Sequence, residues 1–257
     1  MHLNLTWRFL KVWQRNMLVF RRFVWSNVVS GLVEPLLFLF GMGFGVGQFV
    51  KELNGLPFVA FIAPGIIAQS AMFAASFECT FGSYIRMEFQ KTFDAITATP
   101  ISLDEVVAGE LLYGATKAVL SGTIILSAIF MFRLVPGFHW TALLVPPAAL
   151  LEGLVFAAAG MIVASLVANI DNFNYYITLT LTPQFIFAGI FFPIETFPKA
   201  AQIVAWFTPL MHAVRLSREL VLGQPVHVLA DAAWLAVVAA ILLPWPVVLM
   251  RRKLIGS

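Results

Sequence analysis

Six apolar stretches dominate this chain, and they leave room for few folds other than a helical membrane bundle. They run from about Val24 to Gly47, Pro57 to Phe77, Val106 to Phe132, Trp140 to Val167, Tyr175 to Phe192 and Ala230 to Met250. A spanning helix needs about 20 mostly apolar residues. A spanning barrel would instead need ~10-residue strands of alternating polarity, and these runs are far longer. The expected fold class is all-α: a polytopic membrane protein with six transmembrane helices. Only 11% of the 257 residues are charged and 60% are hydrophobic, against about 25% charged in a soluble domain. A net charge of +3 is too weak and too diluted for a nucleic-acid binder. The single cysteine, Cys79, excludes an intrachain disulfide and a Cys-based zinc cluster.

The segment before the first stretch is not a secretory signal. Arg8, Lys11, Arg15, Arg21 and Arg22 interrupt any apolar region a signal would need. On a helix, Arg8, Lys11, Arg15 and Arg22 fall within about 60° of one another, opposite Leu10, Trp13, Met17, Phe20 and Val24. Residues 1–23 therefore read as an interfacial amphipathic helix with its aromatics dipped toward the acyl chains, ahead of one membrane domain over 24–257. With the N-terminus inside, the inner segments hold ten Lys and Arg: five before Trp25, then Arg86 and Lys91, then Arg251, Arg252 and Lys253. The outer segments hold five: Lys51, Arg133, Lys199, Arg215 and Arg218. That asymmetry puts both termini in the cytoplasm.

Two connections are unusual. Between about 84 and 97, Phe89, Phe93 and Ile96 recur at i, i+4 and i+7 among Arg86, Glu88, Gln90, Lys91 and Asp94. This reads as a short amphipathic helix at the inner surface, stopped before Thr99-Pro100. The outer segment from Pro193 to His227 is long yet apolar, too apolar for a solvated loop. Two short helices dipping back over about 198–222 would satisfy its backbone. They should bury Ile203, Trp206 and Phe207 as an outer plug, against which Phe187, Phe191 and Phe192 close. Arg215 and Arg218 would lie near the outer interface and snorkel or meet an anionic headgroup.

No G-x-x-x-x-G-K-[ST] occurs, so the chain builds no phosphate cradle of its own. Neither H-E-x-x-H nor a recognisable nucleophile set is present. The run Gly41 to Gly47 gives two small-x-x-x-small pairs, Gly41/Gly45 and Gly43/Gly47, which suit close helix packing. Charges inside the stretches need an account, because each is costly in hydrocarbon. They are Glu34, Glu110, Lys117 and Glu152. Either Lys117 pairs with Glu110 or Glu152 and ties helices together, or the set anchors a polar element of a substrate pathway.

Several pieces, in order, resemble the permease subunits of ABC-2 type exporters, and among them the nodulation protein J, or lipooligosaccharide export, group. They include Glu34-Pro35-Leu36-Leu37-Phe38, Phe61-Ile62-Ala63-Pro64-Gly65 with Gln69-Ser70-Ala71-Met72, Phe77-Glu78, Gly109-Glu110 and Ala115-Thr116-Lys117. The stretch Leu181-Thr182-Pro183-Gln184-Phe185-Ile186-Phe187-Ala188-Gly189 carries the likeness on to Phe192-Pro193, Phe197-Pro198, Pro209-Leu210-Met211-His212 and Leu222-Gly223-Gln224-Pro225. The resemblance implies a non-enzymatic half-transporter of the bacterial inner membrane, working as a homodimer. It implies two copies of a separate ABC ATPase, nodulation protein I-like, that bind Mg-ATP; this chain itself holds no cofactor. The cargo implied is an amphiphilic lipo-oligosaccharide, with polysaccharides or hydrophobic drugs as the wider alternative. A secondary carrier would show repeated halves, and none is visible. Under this likeness the 84–97 segment is a coupling helix: Phe89 and Phe93 enter a groove of the ATPase, while Arg86, Glu88, Gln90 and Asp94 set register at the rim. The dimer seam should run along the first and fifth spans.

Overall fold

The computed structural model describes residues 5–224 and 226–255. Residues 1–4 of the expected leader, and Pro225, 256 and 257 of the expected membrane domain, lie outside the described residues. Ten helices carry the fold: α1 (Phe9–Arg22), α2 (Val24–Gly45), α3 (Phe58–Phe89), α4 (Thr92–Thr97), α5 (Leu103–Met131), α6 (Trp140–Leu166), α7 (173–187), α8 (Lys199–Trp206), α9 (Pro209–Leu222) and α10 (Val228–Leu254). A small antiparallel hairpin pairs Glu52–Leu53 with Leu56–Pro57. Its turn residues Asn54 and Gly55 both have positive φ, as a two-residue type I′ turn requires.

Four of these helices, α3, α5, α6 and α10, are long and apolar enough to cross a membrane. The central one is α3: 83% of its apolar window is buried, against 28% in α10, which leaves most of α10 to face lipid or a partner. Small residues allow α3, α5 and α6 to approach closely. A Cβ on Gly153 would come within 2.9 Å of the Ala115 Cα, and one on Gly114 within 2.5 Å of the Cys79 sulfur. In lipid, where apolar burial gives no net drive between helices, such approach is what holds a bundle together.

Three expected elements take different forms. The second span does not stop at Phe77; α3 continues to Phe89 through two wide turns, Glu78–Gly82 and Ile85–Phe89. The expected helix over 84–97 is therefore not one element. Arg86, Glu88 and Phe89 close α3, Lys91 reverses the chain at a φ of 50°, and α4 begins at Thr92. The fifth span is shorter than Tyr175 to Phe192, because α7 ends at 187 and Gly189 takes a φ of +76°, a conformation that ends helices. Inside α7, Pro183 lacks an N–H, and the wide turn Ile177–Leu181 precedes it. Thr182 Oγ1 and Gln184 Nε2 donate to the carbonyls of Ile177 (3.0 Å) and Thr180 (3.2 Å), so side chains take up those backbone acceptors. Pro146 and Pro147 produce no break either: they sit at the start of the α-helical part of α6, where no N–H is needed.

A further difference concerns α1, which packs on α5 rather than lying free among headgroups. Its Val12, Asn16 and Phe20 are buried, and a Cβ on Gly109 would collide with Val12 and the Phe9 carbonyl. Trp13 Nε1 donates to Thr116 Oγ1 at 3.0 Å. The start of α5 is held by a capping box, Ser102 with Glu105, and Glu105 also accepts from the Thr6 N–H at 3.2 Å and from its hydroxyl. The glycine pairs divide likewise. Gly43 abuts Val59 and Gly47 faces Phe58, so that pair packs against the start of α3, whereas a Cβ on Gly41 or Gly45 would meet nothing within this chain.

Candidate functional site

At the end of the bundle that carries both termini, a charged network joins α1, α3 and α5. Arg86 Nε lies 3.1 and 3.0 Å from the two Glu110 oxygens, and its Nη2 lies 2.8 Å from Glu78 Oε1. Glu110, itself buried, also accepts from Ser83 Oγ and Asn16 Nδ2, each at 2.7 Å. Lys117 Nζ stands 3.7 Å from Glu78 Oε2 and 4.4 Å from the centre of the Phe20 ring. The expected partners of Lys117 are thus corrected: its carboxylate is Glu78, while Glu110 belongs to Arg86. Seven residues apart, Glu110 and Lys117 lie about two turns from each other on one face of α5. Arg86 reaches that face only because α3 runs on past Phe77.

The same end is tied down at the C-terminus. Arg251 and Asp104 form a two-pronged pair, with Nε to Oδ1 at 2.6 Å. Lys253 Nζ donates to the Ala164 and Val167 carbonyls, both at 3.0 Å, capping the open carbonyls that end α6. Glu88 lies 3.7 Å from Lys253 and 3.5 Å from Lys91.

The proposed ATPase-facing residues consequently separate. Phe89 is 68% exposed and Phe93 only 1%, so the two rings do not form one protruding ridge. The left-handed turn at Lys91 rotates Phe93 into the chain's own core. Gln90 and Asp94 are exposed, Glu88 is half-buried between two lysines, and Arg86 is an internal residue of the network rather than a rim residue.

At the opposite end, sequence reasoning missed the main constellation. Asp231, in the first turn of α10, is fully buried and accepts from Arg215 Nε (2.7 Å) and from His212 Nδ1 (2.7 Å). The other ring nitrogen, Nε2, lies 2.8 Å from the Trp206 carbonyl. A carbonyl can only accept, and so can a carboxylate paired with a guanidinium, so each ring nitrogen of His212 faces an acceptor. It stacks on Trp234 at 4.1 Å. Arg218 lies 4.1 Å over the Phe61 ring and donates to the Gly189 carbonyl at 2.8 Å. Arg215 and Arg218 therefore neither snorkel nor await a headgroup; they bind α9 to α10 and to the ends of α3 and α7. The available signal was His212 and Arg215 one turn apart, followed by an aspartate at the head of an apolar run.

Two short helices, α8 and α9, form over the segment expected to dip back, but the burial is reversed. Ile203 and Phe207 of α8 are 61% and 67% exposed, Trp206 is also exposed, and the buried helix is α9. The gate aromatics fall into two groups. Phe191 packs on Phe38 (5.4 Å) and Phe185 (5.2 Å), and Phe187 on Phe197. Trp206 packs on Phe207 (5.1 Å) and Trp234, while Phe192 is exposed. Of the remaining charges, Glu152 is buried, and its Oε1 has no hydrogen-bond partner among the described residues. Glu34 is exposed on α2. Among the described residues, no three His, Cys, Asp or Glu side chains are grouped to hold a metal ion.

A bundle of apolar helices, with internal ion pairs and two short helices before the last long one, defines a polytopic all-α membrane protein. The family model for ABC-2 type transporters matches residues 8–222. The chain belongs to the ABC-2 type transporter family and is a transport permease. It is similar to nodulation protein J of Rhizobium leguminosarum bv. viciae, 39% identical over 225 residues, covering 87% of this chain and 85% of that protein. It is also similar to nodulation protein J of Rhizobium meliloti (strain 1021), 36% identical over 251 residues, covering 96% and 94%.

Proposed function

We infer that this permease works as a homodimer in the bacterial inner membrane, with both termini cytoplasmic, and exports an amphiphilic lipo-oligosaccharide. In this reading α2 and α7 join the four long helices as spans. Two copies of a separate ABC ATPase bind Mg-ATP and drive the cycle. The observation that carries the coupling is the turn at Phe89–Lys91. It is exposed, it joins α3 to α5 through α4, and it is rooted on one side by Arg86 and on the other by buried Phe93. A push there is delivered to α3, the most enclosed helix, rather than absorbed by a loose loop. The similarity to nodulation J proteins supports the cargo class.

The dimer seam is supported by the unpartnered face of α2. Val33, Leu37, Gly41, Phe44 and Gly45 form one exposed stripe, and Glu34 lies on it, beside the path between copies. In a Cys79→Ala background, a cysteine at Leu37 or Phe44 is expected to cross-link two copies in membranes. One at Gly43, which faces Val59, is not. Equal cross-linking at all three positions would remove α2 from the seam.

The function is tested by reconstituting the permease with its ATPase in lipid and measuring ATP hydrolysis against a panel of lipids and glycans. Lipo-chitooligosaccharide should stimulate hydrolysis several-fold, and simple phospholipids should not. Phe89→Ala should lower that stimulation about fivefold or more with the fold intact. Phe93→Ala should instead lower stability, by about 3 kcal/mol for a buried ring. Normal stimulation in Phe89→Ala would place the ATPase contact elsewhere.

A further inference from the structure

Beneath α1, beside the charged network, lies a half-open cavity of about 170 Å³ lined by Arg15, Asn16, Val19, Ile85, Arg86 and Tyr113, with Gly82 and Gln90 on its α3 wall. We propose that this cavity binds the phosphate of an anionic phospholipid of the leaflet at the termini end, which braces α1 against α3.

The charge arrangement asks for an anion. Three cations, Arg15, Arg86 and Lys117, surround two carboxylates, Glu78 and Glu110, so the cluster is one negative charge short. Arg86 and Lys117 each have a carboxylate. Arg15 has none among the described residues: its Nη1 donates only to Asn16 Oδ1 at 3.0 Å. Burial pushes the Arg15 pKa down, with Arg86 adding to the effect and Glu110 opposing it. A phosphate between the two guanidiniums would relieve that cost through paired, charge-assisted hydrogen bonds.

The surroundings choose a lipid over a free anion. The cavity lining is apolar and exposed at Val19 and Ile85, and exposed Leu18 and Phe89 are their neighbours on α1 and α3, a surface that acyl chains cover and a bare phosphate does not. Exposed Arg8, bonded to the Pro100 carbonyl, and exposed Arg252, next to the Asp104 partner Arg251, share this end of the bundle, where they would attract an anionic leaflet. Within the cavity, Arg15 and Asn16 come from α1, while Arg86 and Gln90 come from α3. The helix α1 is otherwise bonded mainly to α5, so the lipid would supply the missing tie to α3 next to the Phe89 turn.

The test uses the full-length permease in a neutral detergent, without its ATPase, so that it stands apart from the transport reading. Thermal midpoint and lipid retention by native mass spectrometry are measured with phosphatidylglycerol, with phosphatidylcholine, or with inorganic phosphate. Phosphatidylglycerol should raise the midpoint by several degrees and remain bound; the other two should do neither. Arg15→Gln should weaken retention about tenfold while keeping the parent midpoint in phosphatidylcholine, and Arg15→Lys should weaken it less. Arg22→Gln, on the exposed face, should change retention little. The proposal is overturned if phosphatidylglycerol is held no better than phosphatidylcholine or if free phosphate stabilises equally. It is also overturned if Arg22→Gln loses as much as Arg15→Gln, which would mean diffuse surface attraction.

Discussion

Replacing Arg86 with leucine is expected to be among the most damaging single changes this chain can suffer. The guanidinium is the counter-charge for buried Glu110 and shares Glu78 with Lys117. Removing it leaves a carboxylate buried with only Ser83 and Asn16 as donors, and breaking one side of such a pair costs about 3–5 kcal/mol. The variant should fail to accumulate in membranes, or should lose its cooperative thermal transition in detergent. Combining Arg86→Leu with Glu110→Leu should restore much of the loss, because the uncompensated charge goes with its partner, and Glu78 keeps Lys117. If Arg86→Leu folds like the parent, the network does not hold α3 to α5, and Arg86 becomes available for a contact outside the chain.

The second large effect is expected at the other end. Asp231→Asn leaves Arg215 without its counter-charge, and His212 beside a neutral amide, in a buried site, at a cost again of about 3–5 kcal/mol. Because His212 also holds the Trp206 carbonyl, the change should loosen α8 as well as α9. A cysteine placed at Ala205, which is 1% exposed, in a Cys79→Ala background should then react with a water-soluble maleimide many times faster than in the unmutated site. Unchanged reactivity would show that α8 is held by its packing alone. His212→Asn keeps a donor for Asp231 and leaves Arg215 paired, so it should be milder than Asp231→Asn.

The contrast between the two ends shows where sequence reasoning reached. The two short helices α8 and α9 were legible because Pro198 and Pro209 punctuate a run too apolar for water and too broken for one span. The ends of α5, α6 and α10 were legible within a few residues, since hydrocarbon thickness sets the length of an apolar run. Phe93 was not legible as a buried residue. Its i, i+4 spacing from Phe89 holds only if the helix is continuous, and Lys91 breaks it with a left-handed residue that no local pattern demanded. The exposed side of α8 was equally hidden, because a strongly apolar segment is driven to leave water without being told whether protein or lipid will cover it.

By itself the sequence determined that this chain is a helical membrane protein with an asymmetry of basic residues, an unusual turn after its second apolar stretch and two short helices before its last. Each of these follows from local composition, because lipid forces every segment to satisfy its own backbone. Only the tertiary structure decided which charges meet. Arg86 and Glu110 are 24 residues apart, Arg215 and Asp231 are 16 apart, and Glu105 and Thr6 are 99 apart. Pairing across helices depends on axial offset and rotation, which packing of small residues such as Gly109, Gly114 and Gly153 sets to within a fraction of a turn. A shift of one residue rotates a side chain by about 100°, enough to exchange a buried ion pair for a charge in lipid.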